Sequence, residues 1–212
     1  MRLTKFGHAC VLVETDVTGT PRSALFDPGI WSEIPLDGIS TLDDVFISHS
    51  HPDHVDVTKL RAIVAKFPNV RITAPSEVVA MLHQEGFMQA TDVAPEGVTL
   101  FEAPHEGHLP FMQPPEEIGI HFMNAYSHPG DSHSFRETMP VLGLPVQAPW
   151  GSMIDAVDLA LKLKPQYVLP LHDWHWREEA RVWAYDRMEQ IFKEQGITFL
   201  RPVDGQAIDI TL

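Results

Sequence analysis

The spacing of hydrophobic positions divides the chain into short strand-like runs and longer helix-like stretches. Near the start, apolar runs at 3–6, 10–14 and 24–26 are separated by turn residues, which predicts three strands of an antiparallel meander. Apolar residues that recur every three to four positions predict four helices, over about 56–67, 77–85, 153–164 and 178–195. Further strands are predicted at 71–73, 98–101, 118–124, 141–146, 167–169, 198–201 and 207–211.

Local signals predict how several of these elements begin and end. Ser76 and Ser152 directly precede helical stretches, so each is predicted to cap a helix, and Asp155 suits a capping box with Ser152. The pair Asp204-Gly205 lies between the last two predicted strands and is typical of a tight hairpin turn. The mixed order of strands and helices predicts an α/β fold.

A histidine-rich motif follows one of the buried runs. An apolar run typical of a buried strand ends at Ile47, and the residues from His49 to His54 read His-Ser-His-Pro-Asp-His. Side chains two positions apart in an extended chain point the same way, so His49 and His51 are predicted to face one point. The turn at proline then lets Asp53 and His54 face a second point nearby. A solvated loop that holds histidines by chance is the alternative, but this pattern at a strand end favours a metal site.

Three more predicted strands end next to a histidine or an aspartate. His105 follows the strand at 98–101, Asp131 follows the strand at 118–124, and His172 follows the strand at 167–169. Strand ends at one edge of a sheet can bring their side chains into one cleft. We therefore expect the histidine-rich motif and these three residues to form a single site.

Composition narrows the class of protein. The 212 residues, 44% of them apolar, are predicted to form one domain over 1–212 with a sizeable core. The one cysteine, Cys10, excludes an internal disulfide or a cysteine-rich zinc site and is predicted to be a buried apolar residue. No apolar run approaches membrane-spanning length and no signal-peptide pattern is present, so a cytoplasmic location is expected. The net charge of −14 disfavours nucleic acid and anionic membranes as partners.

The order of these motifs resembles the metallo-β-lactamase superfamily over almost the whole chain. The resemblance rests on His-x-His-x-Asp-His, followed by a lone histidine, a Gly-Asp pair and a Pro-x-His. Four further segments are most similar to the branch that includes L-ascorbate-6-phosphate lactonase, at 7–9, 27–28, 130–132 and 164–172. The resemblance implies an αββα sandwich, in which two mixed sheets pack face to face with helices outside.

The resemblance also implies two divalent metal ions. By position, His49, His51 and His105 would hold one ion, Asp53, His54 and His172 would hold the other, and Asp131 would bridge both. His108 is an alternative to His105 because both follow the same strand, and His105 is preferred because Ala-Pro links it directly to that strand. Nitrogen and oxygen ligands without cysteine suit Zn²⁺, which we expect, and also Mn²⁺ or Fe²⁺.

The expected activity is hydrolysis in a small organic substrate. A water held between two metal ions has a pKa of about 7, so it can attack an ester, lactone or phosphodiester bond as hydroxide. Asp53 is expected to orient this hydroxide, and His128, with His133 as the alternative, to protonate the leaving group. A phosphodiesterase or nuclease that acts on nucleic acid is the alternative that the charge of the chain disfavours. A non-catalytic metal-binding regulatory protein is disfavoured by the complete ligand set.

Four large apolar residues lie in loops beside the predicted ligands. They are Trp31, Phe111, Met112 and Trp150. Apolar side chains of this size are unfavourable in water, so we expect them to form the walls of a substrate pocket. The alternative is that each packs on its own loop and never meets a substrate.

Overall fold

The computed structural model describes residues 1–107 and 110–212 as two β-sheets with helices on their outer faces. The described helices are α1 (Val57–Lys66), α2 (Ser76–Gln84), α3 (Met153–Leu163) and α4 (Glu178–Glu194), with one turn of 3-10 helix at Leu36–Gly38. Among the described residues, no helix combines the length and apolarity that a membrane crossing requires.

The first sheet has seven strands in the order β13-β1-β2-β3-β4-β5-β6. They are β1 (Arg2–Lys5), β2 (Val11–Thr15), β3 (Arg22–Phe26), β4 (Asp44–Phe46), β5 (Arg71–Thr73), β6 (Ala90–Thr91) and β13 (Ala207–Asp209). The first three strands pair antiparallel, so the predicted meander is confirmed, whereas β3 to β6 pair in parallel. Phe26 lies opposite Phe46, which places the ends of β3 and β4 side by side.

The second sheet has six strands in the order β12-β11-β10-β9-β8-β7. They are β7 (Val98–Glu102), β8 (Ile118–Phe122), β9 (Tyr126–His128), β10 (Val141–Pro145), β11 (Tyr167–Leu171) and β12 (Thr198–Phe199). The pairs from β7 to β9 are antiparallel and those from β9 to β12 are parallel. Both sheets are therefore mixed.

Three buried clusters show how the layers pack. One cluster joins the facing sheets, and in it Phe26 packs against Phe122 and Tyr126 at ring-centre distances of 5.8 and 5.0 Å. The second places α1 and α2 against the first sheet, and the third places α3 and α4 against the second. Each fully buried phenylalanine contributes roughly 1.5–3 kcal/mol to folding. The layers run helix, sheet, sheet, helix, which confirms the predicted αββα sandwich.

Two local predictions were wrong. β12 and β13 do not form a hairpin, since β12 pairs with β11 in one sheet and β13 with β1 in the other. The turn at Gly205 instead crosses between the sheets, and its N–H donates to the carbonyl of Lys5. Ser76 is the first residue of α2 rather than its cap, and its hydroxyl bonds Asp92. Ser152 does cap α3, because its side chain accepts the N–H of Asp155.

Candidate metal centre

The predicted ligands meet at one edge of the sandwich, where loops from both sheets converge. The histidine-rich motif follows β4 of the first sheet, whereas His105, Asp131 and His172 follow β7, β9 and β11 of the second. The prediction that all these strand ends belong to one sheet edge was therefore wrong. The site spans the seam between the two sheets.

Close packing under the histidine-rich turn fixes its path. The N–H of His54 donates to the carbonyl of His51 at 2.9 Å, and the N–H of Ile30 donates to the carbonyl of Pro52 at 2.8 Å. Gly29 lies so close to Asp53 that a Cβ atom at Gly29 would overlap the Asp53 carbonyl. Only glycine fits there, so the short loop after β3 supports the ligand-bearing turn.

The first group of candidate ligands consists of His49, His51, His105 and Asp131. One donor atom from each lies within 4.8 Å of the others. Nε2 of His49 is 3.0 Å from Nδ1 of His51, and Nε2 of His105 is 3.5 Å from Oδ2 of Asp131. His49 and Asp131 are buried, whereas the other two are half-buried. His108, the alternative to His105, lies outside the described residues.

The second group consists of His8, Asp53, His54 and His172, again with donor atoms within 4.8 Å of one another. Nε2 of His172 lies 3.0 Å from Nε2 of His54, and Nε2 of His8 lies 3.0 Å from Oδ2 of Asp53. The sequence did not predict His8 as a member. His8 belongs to the group because the backbone N–H of His172 donates to the carbonyl of His8, and the centres of the two rings lie 3.9 Å apart.

Asp131 lies between the two groups. Its Oδ1 is 2.6 Å from Nε2 of His172 and 3.1 Å from Nε2 of His54. Its Oδ2 faces His105 of the first group and accepts the indole N–H of Trp150 at 3.0 Å. One carboxylate oxygen thus faces each group, which is the placement that the predicted bridging role requires.

Asp27 supports the second group from behind. This fully buried carboxylate accepts hydrogen bonds from Nδ1 of His54, Nε2 of His128 and the N–H of Ser48, each at 2.7 Å. Burial alone would raise its pKa, but His128 and His54 outweigh that effect and hold the pKa below its ordinary range. An ionised carboxylate only accepts hydrogen bonds, so Nδ1 of His54 carries a proton. Nε2 of His54 then points to the site as a ligand atom.

His128 lies in a position that contradicts the predicted role in protonating a leaving group. The residue is fully buried, with Nε2 bonded to Asp27 and Nδ1 bonded to the hydroxyl of Tyr126 at 3.1 Å. Both ring nitrogens are occupied behind Asp27, so His128 holds that carboxylate in place. His133, the alternative, donates from Nε2 to the carbonyl of Pro145 at 2.8 Å.

Glu117 supports the first group, and no sequence motif pointed to it. Its side chain is fully buried, and Oε1 accepts the N–H of Asp131 at 2.6 Å. Its Oε2 lies 3.7 Å from Nδ1 of His49. Burial, followed by the charge of Asp131, raises the pKa of Glu117 well above its ordinary value. A neutral carboxyl group can therefore fix the Asp131 backbone without adding a further negative charge.

The electrostatics of the groups favour a bound cation. Burial lowers the pKa of His49 well below its ordinary value and lowers the pKa of His8 to about 4, so both rings are neutral at pH 7. Burial opposes ionisation of Asp131, but His172 and His54 outweigh it and hold its pKa well below the usual range. Burial would likewise lower the pKa of His54, but Asp131 and Asp27 raise it well above its ordinary value. The carboxylates of Asp131 and Asp27 thus favour a positive charge at His54. A divalent metal ion beside His54 carries a larger positive charge than the proton that it would replace.

Three residues of the site adopt left-handed backbone conformations. The φ angles are +42° at His8, +43° at Asp27 and +61° at His172. Such conformations in residues other than glycine cost of order 1 kcal/mol or more each and are held by their surroundings. Here the backbone bond between His172 and His8 and the hydrogen bonds of Asp27 provide that support.

A buried ion pair holds the chain directly after His172. Asp173 accepts from the ammonium of Lys5 and from the hydroxyl of Tyr185, and the side chains of Lys5 and Asp173 are almost fully buried. The pair ties β1 of the first sheet to the loop after β11 of the second. It therefore helps to set the distance between the two sheets at this edge.

The four predicted pocket residues have three different environments. Trp150 lies 6.0 Å from the ring of His105 and, with Met112, lines a cavity of about 350 Å³ that reaches His51 and His105. Trp31 instead packs edge-on against His8 at 5.0 Å and stacks on Trp174 at 4.3 Å, beside a different depression.

Phe111 does not occupy the position predicted for it. Its side chain is fully exposed, and its backbone has a φ angle of +71°. It is absent from the described lining of the cavity beside Met112. The structure therefore contradicts the prediction that Phe111 forms part of a substrate pocket.

Comparison with protein families gives a match over most of the chain. The profile described as "Beta-lactamase superfamily domain" matches residues 2–172, which include every candidate ligand of both groups.

Individual relatives and solved structures extend this match. Protein Rv0786c of Mycobacterium tuberculosis is 29% identical over 206 residues, which are 90% of this chain and 92% of that protein. A UPF0173 protein of Pyrococcus furiosus is 26% identical over 187 residues, 81% of this chain and 83% of that protein. Among solved structures, Igni18 of Ignicoccus hospitalis, described as a novel metallo hydrolase, has a TM-score of 0.70 and 19% identity, with 99% of each chain covered. At this level of identity, that structure supports the fold alone.

Proposed function

Because the chain belongs to the beta-lactamase superfamily domain family, we propose that it is a dinuclear metal-dependent hydrolase of a small organic substrate. The scissile bond is an ester, a lactone or a phosphodiester. The observation that carries this proposal is the position of Asp131, which turns one carboxylate oxygen to each of two ligand groups. The narrower resemblance to the branch of L-ascorbate-6-phosphate lactonase remains a prediction.

The donor atoms fit divalent metal ions. Among the described residues, Nε2 of His105 and Oδ1 of Asp131 are buried without a well-formed hydrogen bond, although both point into the groups. Such buried, unpaired polar atoms are unfavourable unless a ligand satisfies them.

His49, His51 and His105 would hold one ion, His54, His172 and Asp53 the other, and Asp131 would contact both. A donor set of imidazole and carboxylate without cysteine fits Zn²⁺, and also Mn²⁺ or Fe²⁺. Bound divalent ions would lower the pKa of a water and polarise the oxygen of the scissile bond.

His8 positions Asp53 in this proposal. Burial opposes ionisation of Asp53, but its hydrogen bond with His8 and the charge of His54 hold its pKa below the ordinary range. The ionised carboxylate accepts, so Nε2 of neutral His8 donates to Oδ2 at 3.0 Å. The edge of Trp31 packs on the His8 ring and keeps it in place. Asp53 is then fixed at one oxygen, with the other free to bind and to orient a water.

The surroundings of the site agree with a small substrate. The net charge of −14 disfavours nucleic acid and anionic membranes as partners. We also propose a cytoplasmic location, and we place the substrate between Trp150 and the half-buried His51 and His105.

The proposal is tested with protein loaded with Zn²⁺, Mn²⁺ or Fe²⁺ and assayed against a panel of lactones, esters and phosphodiesters. We expect hydrolysis of at least one class that disappears on chelation and returns on reloading. Protein that holds two equivalents of metal and hydrolyses no member of any class would contradict the proposal.

A further inference from the structure

We propose that the substrate is an uncharged carboxylic ester or lactone whose non-reacting part is apolar. This inference rests on the proposed hydrolase function and names the substrate class of the same site. The apolar part would occupy the cavity beside the first ligand group, which we call the Met112–Trp150 cavity.

The Met112–Trp150 cavity opens directly onto the candidate metal centre. Its lining includes the rings of His51 and His105 from the first group. Trp150 also lines the cavity, with its indole N–H bonded to Asp131 and its ring 5.7 Å from that of His172. A molecule whose reacting carbonyl lies at the ligand groups would therefore extend its remaining atoms along Trp150.

The walls of the cavity are apolar and stiff. Beside Met112 and Trp150, they include three prolines, Pro114, Pro115 and Pro149. The proline ring fixes φ, so these walls lose little conformational freedom when a ligand binds. The volume of about 350 Å³ is near the lower end of the range for ligand pockets, which suits a ring or a short alkyl chain.

Among the described residues, no lysine or arginine lines this cavity. All 15 lysines and arginines of the chain are among the described residues, because the two residues left out are His108 and Leu109. None of them lines the cavity. Phosphate groups are recognised mainly through charge-assisted bonds from arginine or lysine, or at a free helix N-terminus. A phosphate on the non-reacting part of the substrate would face proline and tryptophan instead.

The start of α3, which follows the lining residue Trp150, is also poorly suited to an anion. The chain enters α3 directly after Trp150, but the side chain of Ser152 already accepts a backbone N–H of the first turn. Asp155 adds a negative charge in that turn and accepts the hydroxyl of Ser152. The cap and the charge of Asp155 therefore offset the attraction that a free helix N-terminus has for a phosphate.

The second depression offers no alternative anion site. It is lined by Trp31 and Trp174, and its one lysine is Lys59. The ammonium of Lys59 donates to the carboxylate of Asp56 at 3.0 Å and to the carbonyl of Ile30 at 3.3 Å. Its charge is thus already paired.

The test compares lactones that share one reacting bond and differ at a single ring substituent: hydrogen, butyl or phosphomethyl. Hydrolysis breaks the bond between the acyl carbon and the ring oxygen, and the elements of water give a carboxylic acid and an alcohol. We expect kcat/KM of the metal-loaded protein to rise by about fourfold per buried methylene from hydrogen to butyl. We expect the phosphomethyl compound to be at least about tenfold poorer than the butyl compound.

Two variants with matched controls locate this preference. Met112→Ala shortens a wall, and Met88→Ala removes an exposed methionine outside the cavity. Gln113→Arg adds a cation to the lining, and Gln89→Arg makes the same change of charge elsewhere on the surface. We expect Met112→Ala to reduce the butyl preference and Gln113→Arg to improve the phosphomethyl compound, with both controls unchanged.

Binding of the corresponding lactams, measured by calorimetry on the metal-loaded protein, separates this inference from the proposed function. Tighter binding of the butyl lactam that Met112→Ala weakens supports the apolar preference of the cavity, and if no lactone, ester or phosphodiester is hydrolysed it is the hydrolase function that fails. Hydrolysis with an equal or higher kcat/KM for the phosphomethyl lactone overturns the inference and leaves the hydrolase function standing. Absence of both hydrolysis and lactam binding overturns both.

Discussion

The carboxylate of Asp27 lies 2.7 Å from Nδ1 of His54, on the side of the ring that faces away from the candidate metal centre. This bond fixes both the orientation and the tautomer of His54, so that Nε2 faces His172 and Asp131. An uncharged amide at position 27 would keep the size of the side chain but weaken this control.

We expect Asp27→Asn to lower the metal affinity of the second group about 10- to 100-fold, the usual effect of losing such a partner. Competition with a chromogenic chelator would measure the change. Asp43→Asn is a suitable control, since Asp43 bonds Ser23 through the same chemistry at the opposite end of β4. Equal affinities in Asp27→Asn and the natural protein would show that Asp27 does not control His54.

Ligand variants should differ in how many ions they lose. Protein purified without chelators is expected to contain two equivalents of metal per chain. His172→Ala and His54→Ala remove one donor from the second group, so each should retain about one ion. Asp131→Ala removes a side chain that faces both groups and should retain less than one. Elemental analysis of folded samples distinguishes these outcomes, and two equivalents in Asp131→Ala would exclude the bridging role.

His8 should affect turnover more than metal content. Asparagine tolerates the left-handed backbone at this position and keeps an N–H donor, whereas alanine offers neither. We expect His8→Ala to lower kcat by about tenfold or more, within the range for catalytic proton and positioning groups, and His8→Asn to lower it less. Steady-state kinetics together with elemental analysis would check this. Loss of the second ion in both variants would instead make His8 a ligand.

Trp31 and Phe111 should behave differently when each is truncated to alanine. Trp31 packs on His8 and Trp174, so Trp31→Ala should change KM and the ranking of substrates. Phe111 is fully exposed, so Phe111→Ala should leave both unchanged. Kinetics on a substrate panel at constant metal content would decide. The reverse result would restore Phe111 to the substrate site.

A stability prediction concerns Asp44, far from the ligands at the start of β4. This buried carboxylate binds Arg22 at 2.5 Å and Arg71 at 2.7 Å. We expect Asp44→Asn to lower the free energy of unfolding by roughly 1.5–3 kcal/mol, because charge-assisted hydrogen bonds are lost while water can reach the half-exposed Arg71. Urea unfolding would measure it. Glu85→Gln breaks the exposed pair with Arg61 and should change the stability by about 0.5 kcal/mol or less.

Much of the fold was predictable because its elements depend on local patterns. The meander, the helix after the histidine-rich turn and the cap at Ser152 follow from periodicity and turn chemistry. The predicted hairpin at Asp204-Gly205 was wrong because a tight turn does not determine which sheets its flanking strands join. Strand partners depend on tertiary packing, which no local signal records.

The site was predictable only where its residues are concentrated in the sequence. The cluster at 49–54 and the strand-end residues were found, and the structure brings them together. His8 was missed as a group member because its partner Asp53 is 45 residues away and a single histidine beside a glycine resembles a turn. Glu117 was missed because its burial beside Asp131 results from folding of the loop after the prolines. Contacts between residues this far apart in the sequence can be identified only from the three-dimensional structure.

The seam between the two sheets gives bound ions a mechanical role. The candidate ligands follow β4 of one sheet and β7, β9 and β11 of the other, and they meet at this seam. Ions bound there would therefore crosslink the two sheets. Binding to the native state alone would add about 4 kcal/mol at a metal concentration one thousand times Kd. Chelation would then leave the sandwich held by its core and by the Lys5–Asp173 pair. The edge that carries the candidate metal centre would then be the first part of the protein to unfold and the first that proteases cleave.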